Sequence, residues 1–97
     1  GICALGPDVT FKDKAFCFSG ESTIAPRKKL VEIVVDHGGT YTPGVAKTTD
    51  FLIVGCEGNP CWAFSCYGRK IEKAREMRMK GHRIQIVHER DFWDALD

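Results

Sequence analysis

The sequence predicts an α/β fold, a four-stranded parallel sheet in the order 2-1-3-4 flanked by three helices. Short apolar runs rich in aromatic and β-branched residues alternate with stretches of helical period, in the order β-α-β-β-α-β-α. Strands that alternate with helices form parallel sheets covered on both faces, because each crossover carries the chain back along the sheet. Crossovers are right-handed, so a first helix winding one way and a second winding the other leave 2-1-3-4 as the strand order.

Each element has its own signal. Residues 1–10 contain Gly6, Pro7 and Asp8 and are expected to lead into one domain over residues 11–97. Ala15-Phe16-Cys17-Phe18 is a short aromatic run halted at Ser19-Gly20, the mark of a buried strand with a sharp stop. Pro26 stands where a first helical turn begins, and Leu30, Val31, Val34 and Val35 then fall on one helix face. Gly38-Gly39 ends that helix. Thr40-Tyr41-Thr42, bounded by Pro43-Gly44, is a short strand, and Thr48-Thr49-Asp50 a turn. Phe51-Leu52-Ile53-Val54 is apolar throughout, as a strand covered on both faces must be. The segment from Cys56 to Tyr67 has the composition of an irregular loop. A helix is predicted from Gly68 to Lys80, with Ile71, Ala74 and Met77 inward and Gly81 at its end. Arg83 to Val87 forms the last strand, and Glu89 to Leu96 a last helix that buries Phe92, Trp93 or both.

The chain has 97 residues, enough for one small domain and no more. Gly1 in place of Met points to a piece of a longer polypeptide. The formal charge of +1 excludes a uniformly basic coat for nucleic acid. That near-neutral sum hides a polarised pattern. Residues 69–83 carry seven Lys or Arg against two Glu, whereas residues 84–97 carry four acidic groups against one Arg. No apolar run approaches the ~20 residues of a membrane span, and no signal-peptide pattern is present. Of the five cysteines, Cys17 suits a small buried hydrophobe in its strand. Cys56, Cys61 and Cys66 are four residues apart and lack the CxxC pairs of structural zinc sites. Nothing brings His82 or His88 to them, so no metal and no cofactor is expected, and the cysteines read as reduced intracellular thiols.

An open parallel sheet binds ligands at the carboxyl ends of its strands, where the winding direction switches. Here that point lies between the first and third strands. It would gather Ser19 and Gly20, Arg27 at the start of the first helix, and Lys70 and Lys73 early in the second. A hydroxyl, a free amide after a glycine, a forked guanidinium and a compact ammonium together suit an anion such as phosphate. The plainer alternative is a turn beside a solvated basic helix face.

The same residues resemble the BRCT domain family over nearly the whole chain, from Phe11 to Leu96. The resemblance rests on Phe16-Cys17-Phe18-Ser19-Gly20, on Gly38-Gly39, and on Val45 to Gly55 with Thr48 and Phe51-Leu52-Ile53-Val54-Gly55. It extends through Gly68-Arg69-Lys70-Ile71-Glu72-Lys73-Ala74 and Ile84 to Phe92. The branch it is most similar to comprises the single modules of bacterial NAD-dependent DNA ligases, the large subunit of replication factor C and exonuclease-type bacterial proteins. In the replication factor C module, a Thr-Gly, an arginine seven residues beyond it and a second-helix lysine recognise a DNA 5′-phosphate. The resemblance implies these roles for Ser19, Gly20 and Arg27, with Lys73 as the matching lysine and Lys70, one turn earlier, as the alternate. It also implies that Phe92 is core and Trp93 partly covered. Trp62 and Phe64 either pack the 56–67 loop against the domain or stack on a base.

Three functions compete on this basis. The first is a non-catalytic module of a DNA replication or repair protein that binds DNA at a 5′-phosphorylated end. Ser19, Gly20, Arg27, Lys73 and Lys70 would hold the phosphate, with Arg69 and Arg75 on the DNA backbone. The second is a phosphopeptide or protein-interaction module, although tandem pairs usually perform that role. The third, an enzyme, lacks support. No Ser-His-Asp order, paired carboxylates or P-loop occurs, so the chemistry of a parent ligase or nuclease would lie outside these residues. The expected compartment is the cytoplasm at the nucleoid for a bacterial parent, or the nucleus for a eukaryotic one.

Overall fold

The computed structural model describes residues 8–20, 22, 24–55 and 69–96, with the side chain of Arg69 excluded. The cysteine-bearing 56–67 segment, with Trp62 and Phe64, and the start of the lead-in lie outside the described residues. The chain forms β1 (Ala15–Ser19), α1 (Arg27–Asp36), β2 (Thr40–Tyr41), β3 (Phe51–Val54), α2 (Arg69–Met79), β4 (Gln85–His88) and α3 (Glu89–Asp94). The four strands make one sheet in the order β2-β1-β3-β4, and every neighbouring pair is parallel. Fold class and strand order are those the sequence predicts. Among the described residues, no helix is long and apolar enough to cross a membrane.

Alternation along the strands divides the core into two layers. Phe16 and Phe18 of β1, Phe51 and Ile53 of β3 and Val87 of β4 point to one face, where they meet Leu30 and Val34 of α1 and Phe92 of α3. Cys17, Leu52, Val54 and Ile86 point to the other, where Ile71, Ala74 and Met77 of α2 cover them. β3 is therefore buried at all four positions, which explains its uninterrupted apolar sequence. Phe92 is fully buried and meets Phe11, Phe16 and Phe18 edge-on, with ring centroids 5.6, 6.1 and 5.7 Å away. The quadrupoles of aromatic rings favour this edge-to-face arrangement. Trp93 is partly buried at the margin, as the family resemblance implies.

Local details depart from the sequence expectations in α1 and β2. Val35, expected inward, is 56% exposed, because α1 turns only Leu30 and Val34 fully into the core, with Val31 and Ile33 partly covered beside them. β2 stops at Tyr41, although Thr42 still donates its amide to the Phe16 carbonyl at 2.8 Å. Thr49 is the buried threonine of its turn. Its hydroxyl accepts from the Ala46 amide at 2.9 Å and contacts the Thr42 hydroxyl at 3.3 Å. After α1, Gly38 adopts φ +89°, the left-handed conformation that lets the chain reverse into β2.

Candidate anion-binding site

The carboxyl end of β1 lies between two sequence-distant cations. β1 stops because Gly20 takes φ +75°, which turns the chain out of the sheet. A Cβ at Gly20 would collide with the carbonyl oxygen of Gly55, so glycine is required there on two counts. That close approach lets the strand ends meet, and the Gly55 amide donates to the Ser19 carbonyl at 2.8 Å. The Ser19 side chain is half-buried at the strand end and makes no hydrogen bond among the described residues. A serine hydroxyl carries one donor that can serve an anion.

Arg27 opens α1 and reaches back across the loop. Its Nη2 donates to the Gly20 carbonyl at 2.8 Å, and its guanidinium carbon lies 5.7 Å from the centre of the Phe18 ring. Stacking on an aromatic face holds the planar guanidinium in place while part of its fork of donors remains available. Pro26 caps α1 without a side-chain hydrogen bond, and the first turn carries no acidic residue. No acidic side chain of that first turn offsets the partial positive charge of the helix end. From the opposite side, Lys70 in the first turn of α2 donates its ammonium to the Phe18 carbonyl at 2.8 Å. Lysine has three donors, so this bond leaves two.

The structure thus brings Ser19, Gly20, Arg27 and Lys70 together at one strand end. Lys73, the first choice from the sequence match, is exposed and makes no hydrogen bond among the described residues. It lies about 4.5 Å further along the α2 axis than Lys70 by helix geometry. Arg75 is also exposed, on the outward side of α2. Cys17 sits beneath the cations, fully buried. Burial pushes its thiol up from the ordinary 9.0, and the charges of Lys70 and Arg27 oppose that shift.

Beside Arg27 an open groove of about 570 Å³ runs along Gly20, Ser22, Ile24, Ala25, Pro26, Arg27 and Leu30. Sequence inspection missed one group near it. Glu89 belongs to the acidic tail by composition, yet it is only 7% exposed and accepts from the Ser22 hydroxyl at 2.6 Å. Nothing in the sequence pairs two residues 67 positions apart, so no local signal could have found this contact.

Comparison with known proteins gives a consistent result. The model of the family described as the BRCA1 C Terminus (BRCT) domain matches residues 9–96. A DNA ligase of Syntrophotalea carbinolica is 33% identical over 84 residues, which cover 87% of this chain and 10% of the ligase. DNA ligases of Thermoanaerobacter pseudethanolicus and Fervidobacterium nodosum are each 29% identical, over 89% and 84% of this chain respectively. They are covered to 11% and 10% of their own lengths. The chain therefore spans about a tenth of the curated relatives it matches.

Proposed function

The chain belongs to the BRCT domain family, and from that premise we propose that it is a non-catalytic module of a bacterial DNA replication or repair protein that recognises phosphate on DNA, at a 5′-phosphorylated end. The convergence of Arg27 and Lys70 on the carbonyls of Phe18 and Gly20 carries this reading. Both cations bond carbonyls that flank Ser19 in sequence, and both keep donors for an oxyanion. Arg27 would grip phosphate oxygens through its fork, Lys70 would supply a point charge, and Ser19 and the backbone after Gly20 would donate hydrogen bonds. Lys73 and Arg75, with Arg69 at the start of α2, would meet the flanking DNA backbone. The ligase relatives favour DNA as the phosphate carrier. On this reading the module works at the nucleoid as part of a larger polypeptide, and any catalysis belongs to the rest of that polypeptide.

Binding of a labelled duplex with and without a 5′-phosphate tests the proposal. The phosphorylated end should bind more tightly, with little sequence preference and a steep loss of affinity as salt rises. Arg27→Ala and Lys70→Ala should each abolish most of the phosphate preference, whereas Lys73→Ala should weaken both duplexes alike. Equal affinity of the unaltered chain for both ends would overturn the assignment. Strong, sequence-dependent binding to phosphoserine peptides would transfer the pocket to a protein partner.

A further inference from the structure

Glu89 is a buried carboxylate at the same sheet edge as the anion cradle, where it lines a small cavity with Ser19, Gly20 and Ser22. It opens α3 directly after β4, with 7% exposure. A carboxylate at that depth persists only when donors surround it. Its Oε2 accepts from the Ser22 hydroxyl at 2.6 Å and from the Trp93 indole N–H at 3.3 Å. Ser22 is in turn committed on its other side. Its Oγ accepts from the amides of Ile24 and Ala25 at 3.0 and 3.4 Å. One proton given and two amides accepted exhaust a serine hydroxyl, so Ser22 has nothing left for an anion.

These bonds fall on the short loop that carries the cradle. The loop leaves β1 at Gly20 and enters α1 at Arg27, and the Arg27 side chain returns to the Gly20 carbonyl at 2.8 Å. Its interior is tied to the domain through Ser22 and Glu89. The element that sets where Gly20 and Arg27 stand is thus braced from α3.

We propose that Ser22 and Glu89 are positioning residues of the phosphate site. The buried carboxylate holds the Ser22 hydroxyl, and the hydroxyl holds the loop backbone so that Gly20 and Arg27 face a bound phosphate, which neither Ser22 nor Glu89 touches. Both donors to the Glu89 Oε2 come from within the domain. This inference rests on the phosphate-binding reading above.

The test measures the ratio of affinities of the full chain for 5′-phosphorylated and 5′-hydroxyl duplexes, with thermal unfolding followed in parallel. Ser22→Ala and Glu89→Ala should lower the ratio by about fivefold or more, the effect of one lost hydrogen bond of ordinary strength. Glu89→Gln retains an acceptor oxygen and should keep the ratio within about twofold of the unaltered chain. A purely structural brace would lower the unfolding temperature and leave the ratio unchanged, which would overturn the inference, as would Glu89→Gln behaving like Glu89→Ala. If Glu89→Ala does not fold, Ser22→Ala, which removes one hydroxyl, decides. A ratio of one for the unaltered chain removes the phosphate reading and this inference with it. A high ratio that both alanine variants retain removes only the inference.

Discussion

At the amino end of the sheet the backbone closes on itself and on one short carboxylate, whereas at the carboxyl end its carbonyls are met by long cationic side chains. Asp50 shows the first mode. Its Oδ2 accepts from the Ala15 amide at 2.7 Å, its own amide donates to the Ala15 carbonyl at 2.8 Å, and its carbonyl accepts from Gln85 at 2.9 Å. One residue thus fastens β1, β3 and β4 together. Lys70 and Arg27 show the second. Each makes one 2.8 Å bond to a β1-end carbonyl and retains other donors. A residue held by its short side chain and by both its backbone groups serves the fold, and a long side chain held at one point can share its donors with a ligand.

Substitutions at each end test this contrast. The largest effect is expected at Phe92, whose ring packs against three other phenylalanines in the layer beneath both ends. Phe92→Ala should cost about 3–5 kcal/mol in denaturant unfolding. A cost under about 1 kcal/mol would mean that the layer can collapse around the gap. Gly20→Ala follows, because left-handed backbone and the collision with Gly55 act together at the carboxyl end. A loss of about 1–3 kcal/mol is expected by the same measurement, together with weaker binding of 5′-phosphorylated DNA.

At the amino end, Asp50→Ala should cost about 1–2 kcal/mol by leaving the Ala15 amide without its acceptor. It should leave the preference for a 5′-phosphate intact. Loss of that preference in a folded Asp50→Ala chain would erase the distinction between the two ends. The smallest effect concerns Cys17. Its raised pKa favours the neutral thiol in the fold, so its contribution to stability is complete below pH 9.0 and is lost as pH rises beyond it. The fall in unfolding temperature above pH 9.0 should be smaller in Cys17→Ala, and native Cys17 should resist thiol reagents at neutral pH. Equal falls in the two chains would show that Cys17 does not contribute.

Much of the fold was legible because the sheet has one buried face on each side and the strands alternate between them. Phe16 and Phe18 against Cys17, and the continuous apolar run of β3, are direct records of that geometry. The helix faces were legible where the apolar stripe is narrow, as in Ile71, Ala74 and Met77. The exposure of Val35 is not legible, because a β-branched residue at the margin of a stripe looks the same in sequence whether a neighbour covers it or water does. Of the candidate site, Ser19, Gly20 and Arg27 could be placed at one strand end from topology alone. The choice between Lys70 and Lys73 could not, since both lie early in one helix and only the docking of α2 on the sheet decides which ammonium reaches the β1 carbonyls.

Local pattern therefore determined the elements, their order and the parallel winding, because apolar periodicity and turn residues act over a few neighbouring positions. Tertiary structure alone decided that Lys70 turns toward the strand end and that Glu89, acidic by composition, lies buried against Ser22. Those contacts join residues 52 and 67 positions apart, and only the packed sheet brings them within a hydrogen bond of each other.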